Sequence, residues 1–181
     1  MSLIRPNVEA FRRLVESNGF AKKYNFQVEN IDGLPEEIPD YDPYSLYISS
    51  ASIPSRKINT TRLPYKAFEF VVPTNAVYPD NQSWRIQFIS DSEMTIRNLF
   101  ETWTRVLYDE INNIGKSNFA GATLTLNLIS DEGKVTRKYK LYGVFPILMD
   151  SVEYNISDTG ADAVKFNVTL AYQYFKTDIA T

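Results

Sequence analysis

The chain has 181 residues, 44% of them apolar and 23% charged, a profile that suits one folded domain with a sizeable core. Its formal net charge is -3 and its pI about 5.1, without the basic balance that tight phosphate binding needs. Cysteine and histidine are absent, which excludes disulfides, thiolate nucleophiles and Cys/His zinc sites and removes the commonest general base.

Residues Asn7 to Asn18 predict a first helix. Asn7 is placed to cap it, Val8, Phe11, Leu14 and Val15 recur at helical spacing, and Gly19 suits its C-terminal stop. The stripe either docks on its own domain or on a neighbouring subunit. Asn25 to Asn30 alternates Phe26 and Val28 with polar residues, as a half-buried strand does. A loop rich in Pro and acidic residues follows from Ile31 to Tyr44. Leu46 to Ile58 is strand-like around Pro54, and Ser52 to Lys66 reads as a projecting hairpin or long loop. Ala67 to Val72 is nearly continuous in apolar residues, which predicts a strand buried on both faces. After a turn at Pro79, Asp80 and Asn81, Ser83 to Ile89 alternates around Trp84, Ile86 and Phe88.

The clearest helix is expected from Asp91 to about Tyr108. Ser90 and Glu93 form the pattern of a capping box, and Ile96, Leu99, Phe100, Trp103, Val106 and Leu107 make one apolar face. Arg97, Glu101 and Arg105 lie opposite, spaced to pair. The rest predicts strands. Ala122 to Ser130 and Lys134 to Val144 flank a tight turn at Asp131, Glu132 and Gly133. Pro146 is expected to break the chain before a strand from Leu148 to Ile156. Ser157 to Ala161 reads as a turn, and Ala163 to Phe175 as the closing strand.

Chemistry-bearing constellations are lacking. The pairs Glu36–Glu37 and Asp131–Glu132 sit in loops, the serines near Ser49 have no base, and the glycines form no phosphate loop. Trp84 and Trp103 read as core anchors. Tyr172 and Tyr174 alone would suit base stacking, but without a basic surround. No basic segment followed by an apolar one, and no run of about 18 apolar residues, predicts a secretory signal or a membrane span.

The order of several segments resembles the tail tube proteins of contractile-tailed, T-even-like bacteriophages. They are the N-terminal helix ending at Asn18-Gly19, the strand Asn25 to Glu29, and Ser55-Arg56-Lys57-Ile58-Asn59. The Trp84 strand with its capped helix, Leu141-Tyr142-Gly143-Val144-Phe145-Pro146, and the ending Phe166 to Tyr172 complete the series. The resemblance implies a single mainly β domain over 1–181, an antiparallel barrel or sandwich of tail-tube type with one well-packed helix and a short N-terminal one. It implies hexameric rings stacked into a tube, with DNA passing through the lumen unbound. The implied partners are further copies of the chain, a tail sheath protein, and baseplate and tail-terminator proteins. The expected location is the virion tail, assembled in the host cytoplasm, with no catalytic residue, cofactor or metal. A baseplate tube-initiator and a type VI secretion tube protein share the implied fold and stand as alternatives, with a stand-alone nucleic-acid-binding module behind them.

Two residue sets follow as expectations. Ile53, Arg56, Lys57, Ile58 and Arg62 are candidates for contact between stacked rings, since basic residues beside apolar ones can set register. On the closing strand Val164, Phe166, Val168, Leu170 and Tyr172 would face the core. Asn167, Thr169 and Gln173 then become lumen candidates, with Lys165 and Ala171 on the same face. Lys138 and Lys140 are expected outside the lumen.

Overall fold

The computed structural model describes residues 8–18, 21–38, 42–115, 121–154 and 163–179. The Asn7 cap, the Gly19 stop and the Ser157 to Ala161 turn fall outside them. The fold is mainly β, two antiparallel sheets arranged as an open sandwich with two helices, as expected of the tail-tube type.

The first sheet runs in the order β1 (Phe26–Asp32), β8 (Ala122–Ile129), β9 (Val135–Met149), β11 (Tyr174–Ile179). The second runs β9, β10 (Lys165–Ala171), β5 (Trp84–Ile89), β2 (Ile48–Ala51). β9 belongs to both, because its first part pairs β8 and β11 and its last part pairs β10. The expected break at Pro146 does not occur. The proline stays in the strand opposite Leu170, beside a register shift that skips Ile147. The bend lies three residues earlier, where the register against β8 skips Gly143 between Tyr142 and Val144. Gly143 has φ +67°, which a side chain resists, and its Cα lies against Gly121 so closely that a Cβ there would meet it at 2.4 Å. Since β9 ends at Met149, no strand continues from Asp150 to Tyr154. The closing segment likewise splits at Tyr172 and Gln173, and β11 returns to the first sheet.

Alternation works as expected on the inner faces. Phe166 lies opposite Phe88, Val168 opposite Ile86 and Leu170 opposite Trp84, all buried. Leu124, Leu126 and Leu141 close the core from the first sheet. Helix α2 (Thr95–Leu107) seals it with Ile96, Leu99, Phe100 and Trp103, and the Phe100 ring lies 5.2 Å from Phe88. The helix starts later than its sequence signal. Met94 takes a left-handed conformation, and the Asp91 carboxylate, not a Ser90–Glu93 box, accepts from the Thr95 N–H at 2.8 Å. Burial pushes the Asp91 carboxyl up, but the hydrogen bonds from Thr95 outweigh it and hold the group below its ordinary range. Arg97 pairs with Glu101 at 2.8 Å, as the spacing predicts.

Helix α1 (Val8–Asn18) forms, but Val8 and Phe11 on its apolar stripe are exposed.

Candidate functional site

The most distinctive surface is a separate two-stranded ribbon. β3 (Lys57–Tyr65) pairs β4 (Phe68–Val77) and joins neither sheet. The expected hairpin thus begins five residues later than Ser52 and takes in the whole segment thought to be a doubly buried strand. Apart from Val72, every residue from Phe68 to Ala76 is exposed. A continuous apolar run requires cover. It does not say which molecule supplies it. The turn was hard to foresee, because Lys66 at φ 53° occupies a position where Asn or Gly is usual.

Register sorts the ribbon into two faces. Leu63 lies opposite Phe70 and Tyr65 opposite Phe68, with Thr61 and Val72 next in line. That distal face is almost wholly apolar, and Phe68 is 71% exposed. The other face carries Ile58, Pro64, Val71 and the exposed pair Arg62–Glu69 at 3.2 Å. A lone two-stranded ribbon is marginal in water, so an uncovered one of this composition is a surface awaiting a partner.

The root of the ribbon is pinned. The indole N–H of Trp84 donates to the Ser52 carbonyl at 2.8 Å. The Asp80 carboxylate accepts from the Ser55 N–H at 2.9 Å and from the Tyr172 hydroxyl. Burial, reinforced by the bond to Asp80, pushes the Tyr172 phenol well up, so it stays a donor at every ordinary pH. Asp80 and Trp84 were read as turn and core residues only, and no sequence signal linked them to the ribbon.

Of the five expected ring-contact residues, Lys57, Ile58 and Arg62 share β3, with Lys57 on the opposite face from the other two. Arg56 immediately precedes them and is exposed. Ile53 stands apart, in a groove it shares with Phe26, Leu126 and Leu128. Of the three lumen candidates, Gln173 is exposed, Asn167 is partly buried and bonded to Asp150 at 2.7 Å, and Thr169 is buried. Among the described residues no group of three acidic side chains is placed to hold a metal, and no helix is long and apolar enough to cross a membrane.

The fold has known counterparts. Residues 20–178 match the family described as phage tail tube protein. The chain belongs to that family. It is a structural, tail-tube-type subunit, not an enzyme. No curated protein sequence matches this tail tube chain. Several solved structures share its fold, three of them as follows. One, described as the anti-feeding prophage cap (AFP tube terminating cap), is 18% identical with a TM-score of 0.56, covering 88% of this chain and 91% of that one. A second comes from an extracellular contractile injection system, the PVC sheath/tube terminator in its extended state. It is 16% identical with a TM-score of 0.56, covering 87% and 95%. A third, from the PVC sheath-tube complex in the extended state, is 17% identical with a TM-score of 0.54, covering 93% and 97%. The tail tube subunit thus shares its fold along nearly the full length of these chains.

Proposed function

We propose that the whole chain, 1–181, acts as one tube domain whose hexameric rings stack into a hollow conduit for DNA in a phage tail. The apolar ribbon face carries this reading, because its cover must come from outside the protomer. Leu63, Tyr65, Phe68 and Phe70 pack on a neighbouring copy, and Arg56, Lys57, Ile58 and Arg62 contact the adjacent ring. Asn167 and Thr169 on β10, with Gln173 in the break that follows it, turn to the lumen, and Gln173 is the exposed member. Lys138, ion-paired with Glu29 at 3.2 Å, lies on a wall away from the lumen. A protein of net charge -3 lets DNA slide, since it offers phosphates little to hold.

The solved relatives come from sheath–tube, terminator and baseplate assemblies, which supports a sheath protein, a terminator and a baseplate as partners here, in a virion tail assembled in the host cytoplasm. The same likeness also suits a tube-initiator or terminator role. Negative-stain microscopy of the concentrated or baseplate-seeded protein should show rings and tubes. A species that sediments as monomer throughout, seeds included, would overturn the proposal. Replacing Arg56 and Lys57 together by Glu should keep the fold and stop tube growth, and normal tubes from that variant would remove those residues from the contact.

A further inference from the structure

An eight-residue turn after α2 is held by more hydrogen bonds than its size demands. β6 (Tyr108–Asp109) pairs β7 (Ile114–Gly115). The Asp109 carboxylate accepts from the Ile111 N–H at 3.0 Å, the Asn112 N–H at 3.2 Å and the Asn112 amide at 2.6 Å. The Tyr108 hydroxyl donates to the Asn113 side chain, and Asn113 takes φ 54°. At the apex Ile111 is 94% exposed. A braced turn loses little conformational freedom on insertion, so this isoleucine is a preformed knob.

The chain also carries a matching hole. A groove of about 680 Å³ lies between the open edges of the two sheets, lined by Phe26, Ala51, Ile53, Leu126, Leu128 and Ile129. Lys22 and Lys23 stand at its rim, whereas the turn from Tyr108 to Gly115 carries Asp109 and Glu110 and no base. Lys22 is already paired with Asp131 at 2.8 Å, so the complementary charges are Lys23 on the groove and Glu110 on the turn.

The two features do not meet within the protomer, since Ile111 is 94% exposed and is not among the residues that line the groove. The base of the turn lies beside Phe145, Pro146 and Ile147, and the groove reaches Thr136, toward the other end of β9. Measured along the strand, Thr136 and Pro146 are separated by roughly 30 Å of extended chain.

We infer that Ile111 of one copy seats in the Phe26–Leu128 groove of the next copy, with Glu110 facing Lys23 at the rim. The contact is heterologous, so repetition gives a closed ring or an open filament. It rests on the reading that the protein self-assembles, and it names the surfaces that meet.

The absence of native cysteine makes the test direct. Full-length Ile111→Cys and Ser50→Cys proteins are mixed under assembly conditions and oxidised. A mixed disulfide dimer on a non-reducing gel is expected, absent from either variant alone. Ile111→Asp should leave the unfolding midpoint unchanged and raise the critical concentration for assembly about tenfold or more. Lys23→Glu and Glu110→Lys should each weaken assembly, and the two together should restore it. If wild type and Ile111→Asp assemble alike without a mixed disulfide, the contact is refuted and the tube reading stands. A Phe11→Cys with Ser50→Cys crosslink in its place would give the groove to helix α1 and overturn the inference. Wild type that never assembles would refute the tube reading, and this contact with it.

Discussion

The outer surface of the ribbon and the inner surface of α2 carry similar side chains and meet opposite conditions. Ile96, Leu99, Phe100 and Trp103 repeat at helical spacing and are buried against Phe88 and its sheet. Leu63, Tyr65, Phe68 and Phe70 repeat at strand spacing and are all more than half exposed. In each region the period of the apolar residues selected the secondary structure. Only in the first did the protomer supply the opposing surface. An apolar face therefore states that burial is needed, and its exposure in one chain points to burial between chains.

Substitutions should separate the two regions, and the core should respond most. Trp103→Ala removes a fully enclosed ring that stacks on Phe100 at 6.0 Å, and should cost about 3–5 kcal/mol in urea unfolding of the dissociated protein. A loss below about 1 kcal/mol would mean that the helix face is not the seal described above.

A smaller effect is expected at the helix start. The Asp91 carboxyl titrates below its ordinary 3.8 in the folded chain. Its contribution is complete above that unfolded value and is lost as pH falls through the lower folded one. Asp91→Asn should cost no more than about 1 kcal/mol near neutral pH, since solvent screens the site. The variant should also lose less stability than wild type on acidification below about pH 4. Parallel pH profiles for the two proteins would contradict the cap.

The smallest effect on protomer stability belongs to the ribbon. Phe70→Asp should change unfolding by about 0.5 kcal/mol or less, because the residue is more than half exposed. Assembly should nevertheless fail, measured by sedimentation. A variant that is destabilised like Trp103→Ala would show that the ribbon belongs to the protomer's own core.

Much of the fold was legible in the sequence because it rests on local periodicity. The inner faces of β5, β8 and β10, the apolar face of α2 and the Arg97–Glu101 pair all follow from residues within one or two turns or pleats of each other. The misreadings share a cause. Pro146 looked like a break because a proline lacks a donor, but at that point the strand changes partners and the missing bond is tolerated. Ser90 and Glu93 fit a capping box, yet Asp91 lies closer once Met94 turns left-handed. The ribbon's second strand looked internal because hydrophobicity encodes a demand for cover without its address. Asn112, Asn113 and Gly115 mark the end of the second helix in the sequence, but the groove is not legible there, since residues such as Phe26, Ile53 and Leu128 come together only when the sheets are assembled.

By itself, then, the sequence determined that this is a β-rich chain, which strand and helix faces are apolar, and, through the order of its segments, the family. Those properties depend on residue type and short-range spacing. Tertiary structure alone decided where β9 bends at Gly143 to join the two sheets, that β3 and β4 leave the sandwich, and that Asp80 ties Ser55 to Tyr172. Those outcomes depend on contacts between residues far apart in the chain, where the close approach of backbones and the availability of an opposing surface settle what local pattern leaves open.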